Sequence, residues 1–447
     1  MKHLSIILAT VVSLSLTAWA TQAPNTPAPQ APNAPAPQAP NAPAPQAPNA
    51  PAPQAPNAPA PRAPNAPAAP SDPPAPFYAH IVASGLRGGY QVVAADMNKD
   101  GKVDLIGLGS QMTELLWYEN PYWTPHVITR SATRMINLAA ADIDGDGIPE
   151  IGLAYEFGTN PNTTAGKLAI LKATGDPTAL WSMKEIDAVP TSHRVRFADI
   201  GGQKILINAP ILGPKAREGF ADPDHSVTPL KAYRPPDWKP EIITEANLGV
   251  VHGLFIGDWD GDGRQDVLTA GYVGVFAHSL GRGGTWTRTE ITKGNPAEWP
   301  QSGASDIAVG TLNKKKFFVT NEPFHGNQVV VYTEGAGGEW SRNVIDSQLN
   351  NSHALVLVDS DGDGTHEIVS GGTRGAPGTA RGAKPGVFFY KAVDATGQKW
   401  ERMMLDAGIA ANGCVTADIN GDRKMDVVCI DNSDPWNLKW YENARKP

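Results

Sequence analysis

The chain has 447 residues, with 37 Lys plus Arg against 45 Asp plus Glu and a net charge of −8. An acidic chain is a poor nucleic-acid partner, because neutralising phosphates needs grouped Lys and Arg. Its 45 glycines and 41 prolines argue against helical bundles, and two cysteines exclude a cysteine-rich scaffold or a four-cysteine zinc site.

Lys2 and His3 precede an apolar run from Leu4 to Ala20 that ends Ala18-Trp19-Ala20. A basic start, a short apolar stretch and a small-x-small end predict a cleaved signal peptide over 1–20, hence a secreted or periplasmic protein. The run is too short, and too interrupted by Ser and Thr, to favour crossing ~30 Å of hydrocarbon. No later stretch reaches that length, so no membrane insertion is expected after cleavage. Residues 21–76 repeat the octad Ala-Pro-Asn-Ala-Pro-Ala-Pro-Gln with small variations. Prolines fix φ and nothing apolar is available to bury, which predicts a polyproline-II spacer. Of the 41 prolines 21 lie in 24–76, and all 45 glycines follow residue 76.

A second repeat occupies 77–447. Five segments carry Asp-x-Asp/Asn-x-Asp-Gly-x-x-Asp/Glu or a close variant, starting at Asp96, Asp142, Asp258, Asp359 and Asp418. Apolar runs flank each, as in Val92-Val93-Ala94-Ala95 and Val427-Val428-Cys429-Ile430, so each reads as strand, acidic loop, strand. Two copies are degenerate: one keeps the strand and the first Asp, Asp199, with Gly201-Gly202-Gln203 in place of the ligands, and the other, at Thr311, leads to Lys314-Lys315-Lys316 and has lost every carboxylate ligand. The seven loop starts are spaced 46, 57, 59, 53, 48 and 59 residues apart. Periods of that size with several short strands indicate propeller blades.

A tryptophan-led segment recurs from Trp123, Trp181, Trp238, Trp286, Trp340 and Trp400, six copies for seven loops. The last blade ends Trp440-Tyr441-Glu442-Asn443, like Trp117-Tyr118-Glu119-Asn120 in the first, with no such segment after it. Phe77-Tyr78-Ala79-His80-Ile81-Val82 supplies the seventh strand from the other end. The expected fold is all-β: a seven-bladed β-propeller closed by an N-terminal strand, a closure that leaves no open sheet edge.

Alternating oxygen ligands, a glycine for the turn and a carboxylate at position nine suit Ca²⁺. The expected ligands are Asp96, Asn98, Asp100 and Asp104; Asp142, Asp144, Asp146 and Glu150, with the Ile148 carbonyl; Asp258, Asp260, Asp262 and Asp266; Asp359, Asp361, Asp363 and Glu367; and Asp418, Asn420, Asp422 and Asp426. The loops resemble the integrin-like (FG-GAP/VCBS) calcium repeats, which implies structural ions, up to five. Cys414 and Cys429 flank the last loop, and both a disulfide and two ordinary buried thiols are compatible with that placement.

Six residues before each loop start stand Tyr90, Ile136, His193, His252, Ser305, His353 and Asn412. On inner strands these positions converge on the axis, at the channel mouth opposite the acidic loops. Three of the ten histidines therefore share one ring. The next strand returns to that mouth with Gln111, Glu156, Tyr272, the segment Glu322-Pro323-Phe324-His325-Gly326, and Arg374. Such a convergence of polar groups is a candidate site. Its histidines suit either a divalent metal or acid–base work near neutral pH.

A narrower likeness runs through His193-Arg194 with Ala209-Pro210, His252-Gly253, Glu322-Pro323-x-His325-Gly326 with Gln328-Val329-Val330-Val331-Tyr332, and His353-Ala354. These marks resemble the propeller of aldos-2-ulose (1,5-anhydrofructose) dehydratases and related sugar lyases, departing at Phe324, where a tryptophan is expected. The resemblance implies β-elimination on a keto-sugar or a uronate-containing glycan. It implies an electrophile, either a metal held by His193, His252 or His353 or the guanidinium groups of Arg194 and Arg374. His325, His353 or Tyr272 would be base or acid, and Glu322 would orient a histidine or bind hydroxyls. The competing expectation is a non-catalytic glycan- or protein-binding adhesion propeller on a Pro-rich stalk. A monomer is expected in either case.

Overall fold

A computed structural model describes residues 72–216, 220, 227–373 and 385–444. The 1–20 segment, all but the end of the 21–76 spacer, and Arg374 lie outside the described residues. Within them, 28 strands form seven four-stranded antiparallel sheets arranged around one axis. The inner strands are Gly89–Ala95, Asn137–Ala141, Ser192–Ile200, Val251–Gly257, Asp306–Leu312, Ser352–Val358 and Ala411–Ala417. Six blades are read in chain order. The seventh takes its outer strand from the start of the domain: Phe77–Ala83 pairs with Leu438–Asn443, Phe77 opposite Asn443 and His80 opposite Trp440. The expected closure is therefore seen, and the six tryptophan-led segments are the other outer strands.

Blades pack face to face through apolar side chains that alternate along each strand. Between blades one and two, Ile106, Leu108, Trp117, Leu138, Ile151 and Leu153 are all buried in one cluster. Outer edges are tied by buried phenols: Tyr233 donates to Asp187 at 2.7 Å and Tyr390 to Asp346 at 2.7 Å, each across a blade junction.

Each inner strand presents an edge with no partner strand, whose buried N–H and C=O groups must still be satisfied. Side chains from neighbouring blades do this at every junction. Gln91 Nε2 donates to the Leu138 carbonyl (2.9 Å) and its Oε1 accepts from Leu138 N–H (2.6 Å). Asn137 Oδ1 accepts from Val195 N–H at 2.9 Å, and Arg194 Nε donates to the His252 carbonyl at 2.7 Å. His252 Nδ1 meets the Ser305 carbonyl at 3.0 Å, and Asn321 Nδ2 the Ala354 carbonyl at 3.4 Å. His353 Nδ1 meets the Asn412 carbonyl at 2.6 Å, and Asn412 Nδ2 returns to the Gly89 carbonyl at 3.0 Å, closing the circuit.

Cys414 and Cys429 are directly opposed on the first two strands of blade seven and form a disulfide. The two degenerate loops are tight hairpin turns: Gly201 and Gly202 have φ of 67° and 79°, Asn313 and Lys314 48° and 66°. Two successive positive φ values match the right-handed twist of the flanking strands.

His278, on the third strand of blade four (Gly274–Leu280), is buried and its Nε2 lies 3.0 Å from Thr269 Oγ1. Burial pushes its pKa down to about 3. The unfolded chain then takes up a proton below pH 6.5 that the folded chain refuses, so stability falls as pH drops. Replacing His278 by Gln should shrink the loss of unfolding free energy between pH 7 and pH 5 by about 2 kcal/mol, measured by urea titration at both values.

Candidate functional site

The ring positions lie at the start of the inner strands, at the end of the channel away from the acidic loops. Their aromatic members form a closed set. Tyr90 Oη lies 2.7 Å from His193 Nε2, the His193 and His252 ring centres are 5.0 Å apart, His252 and His353 4.7 Å, and His353 and Tyr90 5.0 Å. His325 joins from the turn after the second strand of blade five (Lys315–Glu322). Gly326 N–H closes that turn on the Pro323 carbonyl at 2.8 Å, and His325 takes a φ of 48°. Its ring sits 4.9 Å from that of His252 and 5.0 Å from that of His353, and its Nε2 is 3.3 Å from His252 Nε2.

His252, His325 and His353 thus each offer a ring nitrogen within 4.8 Å of the others. Bonds to the Ser305 and Asn412 carbonyls make Nδ1 the N–H of His252 and His353, which leaves Nε2 with its lone pair. A carbonyl on the far nitrogen is how metal-binding imidazoles are oriented. Burial, reinforced by the charge of Arg194, holds His193 and His252 well below the usual histidine range. Burial does the same for His353, with His325 and Arg194 adding to it, and takes His325 down to about 4. The cluster is neutral, the form that ligates.

Arg194 binds the His252 carbonyl, places Nη2 3.2 Å from both ring nitrogens of His252, and lies 3.9 Å from Asp306. Tyr272 is not among the histidines: its ring packs on Trp299 (4.6 Å) and Phe324 (5.2 Å), and only Phe324 stacks on His325, at 4.0 Å. Burial raises its phenol far above its ordinary range. Phe157 on His193 and Phe324 on His252 cover the cluster on this side. Glu156, expected at the mouth, pairs with Lys167 at 3.5 Å.

Glu322 corrects an expectation. Its fully buried carboxylate accepts from Thr320 Oγ1 (2.7 Å), Tyr332 Oη (2.6 Å) and Arg342 Nε and Nη2 (2.9 and 2.6 Å), all within blade five. It neither orients a histidine nor faces a substrate. Tyr90, placed on the ring by its register, is bonded to His193; the residues left out are Asp306 and Arg196 in the channel beneath. Their signal was the same register, read one and three positions further along the inner strand.

At the other end of the channel, Asp142, Asp144 and Asp146 converge, as do Asp258, Asp260 and Asp262, and Asp359, Asp361 and Asp363. The first Asp of each loop folds it: Asp258 accepts from Gly261 N–H (2.7 Å) and Gly263 N–H (3.0 Å), where φ is 80° and 83° and glycine is favoured. The ninth-position carboxylates turn inward to the second residue's N–H, as Asp104 to Met97 (2.9 Å) and Asp426 to Ile419 (2.9 Å). Burial raises Asp104 and Asp426 to about 6. Asn98 and Asn420 fill position three in blades one and seven, each with its amide on a glutamate, Glu119 (3.0 Å) and Glu442 (3.4 Å).

Glu322 gives a test that separates structure from chemistry. Replacing it by Ala should cost about 3–5 kcal/mol of stability, because Arg342 loses the partner of a buried ion pair. Unfolding free energy unchanged in a denaturant titration would return Glu322 to the site.

Residues 165–335 match the profile of the aldos-2-ulose dehydratase beta-propeller domain, and residues 96–153 match an FG-GAP-like repeat. The aldos-2-ulose dehydratase of Phanerodontia chrysosporium is 26% identical over 403 residues, covering 80% of this chain and 44% of that protein. The chain thus spans less than half the length of that relative. Among solved structures, a chain from the crystal structure of BBS1N in complex with ARL6DN, soaked with mercury, superposes with a TM-score of 0.50 at 11% identity. The overlap covers 84% of this chain and 99% of that one, and this likeness concerns the fold alone. The chain is a seven-bladed propeller with an FG-GAP-like repeat, related through its middle blades to the propeller of aldos-2-ulose dehydratase.

Proposed function

We propose that the protein is a carbohydrate-active carbon–oxygen lyase that works by β-elimination at the histidine cluster. One observation carries the reading: His252, His325 and His353 converge on one point, and carbonyls of the next blade fix the first and third with Nε2 turned into the cluster. The likeness to aldos-2-ulose dehydratase over the middle blades supports the reaction class, with a keto-sugar or uronate-containing glycan as substrate.

The donor set fits a divalent cation that prefers imidazole, held by His252, His325 and His353. Bound there, it would supply positive charge for the enolate-like oxygen that forms when the adjacent carbon loses its proton. The chain's own groups account for the rest. Arg194 holds His252 from its carbonyl side and adds fixed positive charge. Tyr90, whose phenol burial raises to about 12, keeps a proton on its oxygen 2.7 Å from His193 Nε2. That pair can take up the proton that the carbon loses, on His193, and give the phenol's proton to the departing oxygen, so that none is gained or lost overall. Phe157 and Phe324 exclude water from the cluster.

We also propose that the five acidic loops bind Ca²⁺ structurally and that the chain is exported. In support, Lys172 lies against Asp144, Asp146 and Glu150, and Lys391 bonds Asp361 at 2.6 Å, so these carboxylates already draw a cation. The disulfide and the amino-terminal sequence agree with an oxidising compartment.

Incubation with keto-sugars and uronate glycans should produce the ultraviolet absorbance of an unsaturated product. His325→Ala, on a turn and closing no blade junction, should lower kcat/KM at least about 100-fold, the usual scale for a lost catalytic group, while the urea midpoint shifts little. Undiminished turnover in that variant would overturn the site. Chelation of the full chain should lower its melting temperature, and millimolar Ca²⁺ should restore it. A melting temperature indifferent to both treatments would refute calcium loops.

A further inference from the structure

Below the histidine ring the channel widens into a cavity of about 510 Å³, lined by Arg194, Arg196, Asp306, His353 and mostly apolar side chains of all seven inner strands. Three residues before each loop start, six blades place Val93, Ala139, Phe255, Ala308, Val356 and Val415, whereas blade three places Arg196. A propeller needs no charge at that layer, and burying one is expensive unless it is paired.

The pairing is incomplete. Arg196 Nη1 donates to Asn137 Oδ1 (2.9 Å) and to the Val195 carbonyl (2.8 Å), but its Nε and Nη2 have no protein partner among the described residues. Arg194 Nη1 has none either, and Asn137 Nδ2, beside Arg196, is a buried donor without an acceptor. Among the described residues Asp306 is the only carboxylate lining the cavity, and its nearest guanidinium contact is long, at 3.9 Å. Two guanidinium groups against one carboxylate leave one positive charge in the channel. The loss of water, and after it the charge of Arg194, already depress Arg196 to about 10, a penalty that an anion would offset.

We propose that this channel is a binding site for a small organic monoanion, a carboxylate of sugar-acid size seated on Arg196 and Arg194. A carboxylate matches the fork of a guanidinium. Its single charge balances the excess, whereas a phosphate dianion would exceed it. The volume lies in the range that encloses a monosaccharide-sized molecule. The site shares Arg194 and His353 with the cluster above it, and it is told apart from the lyase reading by Arg196, which that reading does not use, and by detection through binding alone.

The test is calorimetric titration of the full chain with sodium D-glucuronate, D-glucose and inorganic phosphate. Glucuronate should bind one per chain, glucose should not bind, and phosphate should bind at least tenfold more weakly. Arg196→Gln should weaken glucuronate at least tenfold, and Arg196→Lys less. Should Arg196→Gln fail to fold, phenylglyoxal labelling of the unmutated protein replaces it: glucuronate should slow modification of Arg196, read by peptide mass spectrometry. No glucuronate binding, affinity retained in folded Arg196→Gln, unprotected Arg196, or phosphate binding as tightly as glucuronate would each overturn the proposal.

Discussion

The inner edge of each blade is the constraint on which this molecule depends. A four-stranded sheet set radially turns one strand toward the axis, and that strand has no further strand to pair with. Leaving its buried amides and carbonyls unpaired costs about 1–3 kcal/mol for each group. Here the preceding blade's polar side chains take that role at all seven junctions, from Gln91 on Leu138 round to Asn412 on Gly89. The axis is consequently polar wherever a junction is stitched by a side chain, and chemistry can collect there without disturbing the apolar faces between blades.

The histidines show how stitching becomes preorganisation. His252 and His353 close junctions four–five and six–seven through Nδ1, and the same bond decides the tautomer and aims Nε2 at the axis. One hydrogen bond therefore serves stability and site geometry together. His325 arrives differently, on a turn held by the Pro323 carbonyl, so the third nitrogen belongs to a loop while the first two belong to strands. A loop residue on a rigid ring is the element best able to vary without loss of fold.

The fold was legible because its evidence was periodic. Acidic loops and tryptophan-led strands counted the blades independently, and their mismatch by one located the closing strand at Phe77. The ring was legible for the same reason: a fixed offset from a fixed turn maps to one height on the axis. Glu322 was misread because a motif names neighbours along the chain, while its partners Tyr332 and Arg342 come from the two following strands. Tyr272 was misread similarly, since only packing shows that Phe324 stands between it and His325. Tyr90 had been placed on the ring, but its value rests on a 2.7 Å contact with a residue 103 positions away, which no local pattern contains.

The two ends of the axis divide the charge. Carboxylates gather at the exposed loop end, and imidazoles with two guanidinium groups lie deep toward the other. The net charge of −8 thus describes neither end, because the acidic loops outweigh a basic interior. Exposed carboxylates are screened by solvent and counter-ions within about 10 Å. The interior charges are not, and each must find its partner in the protein or in a guest. Arg194 finds much of its own in the His252 carbonyl, His252 itself and Asp306. Arg196 keeps donors to spare in a layer that every other blade fills with an apolar side chain, so a requirement for an anion follows from the propeller's own symmetry, broken at one residue.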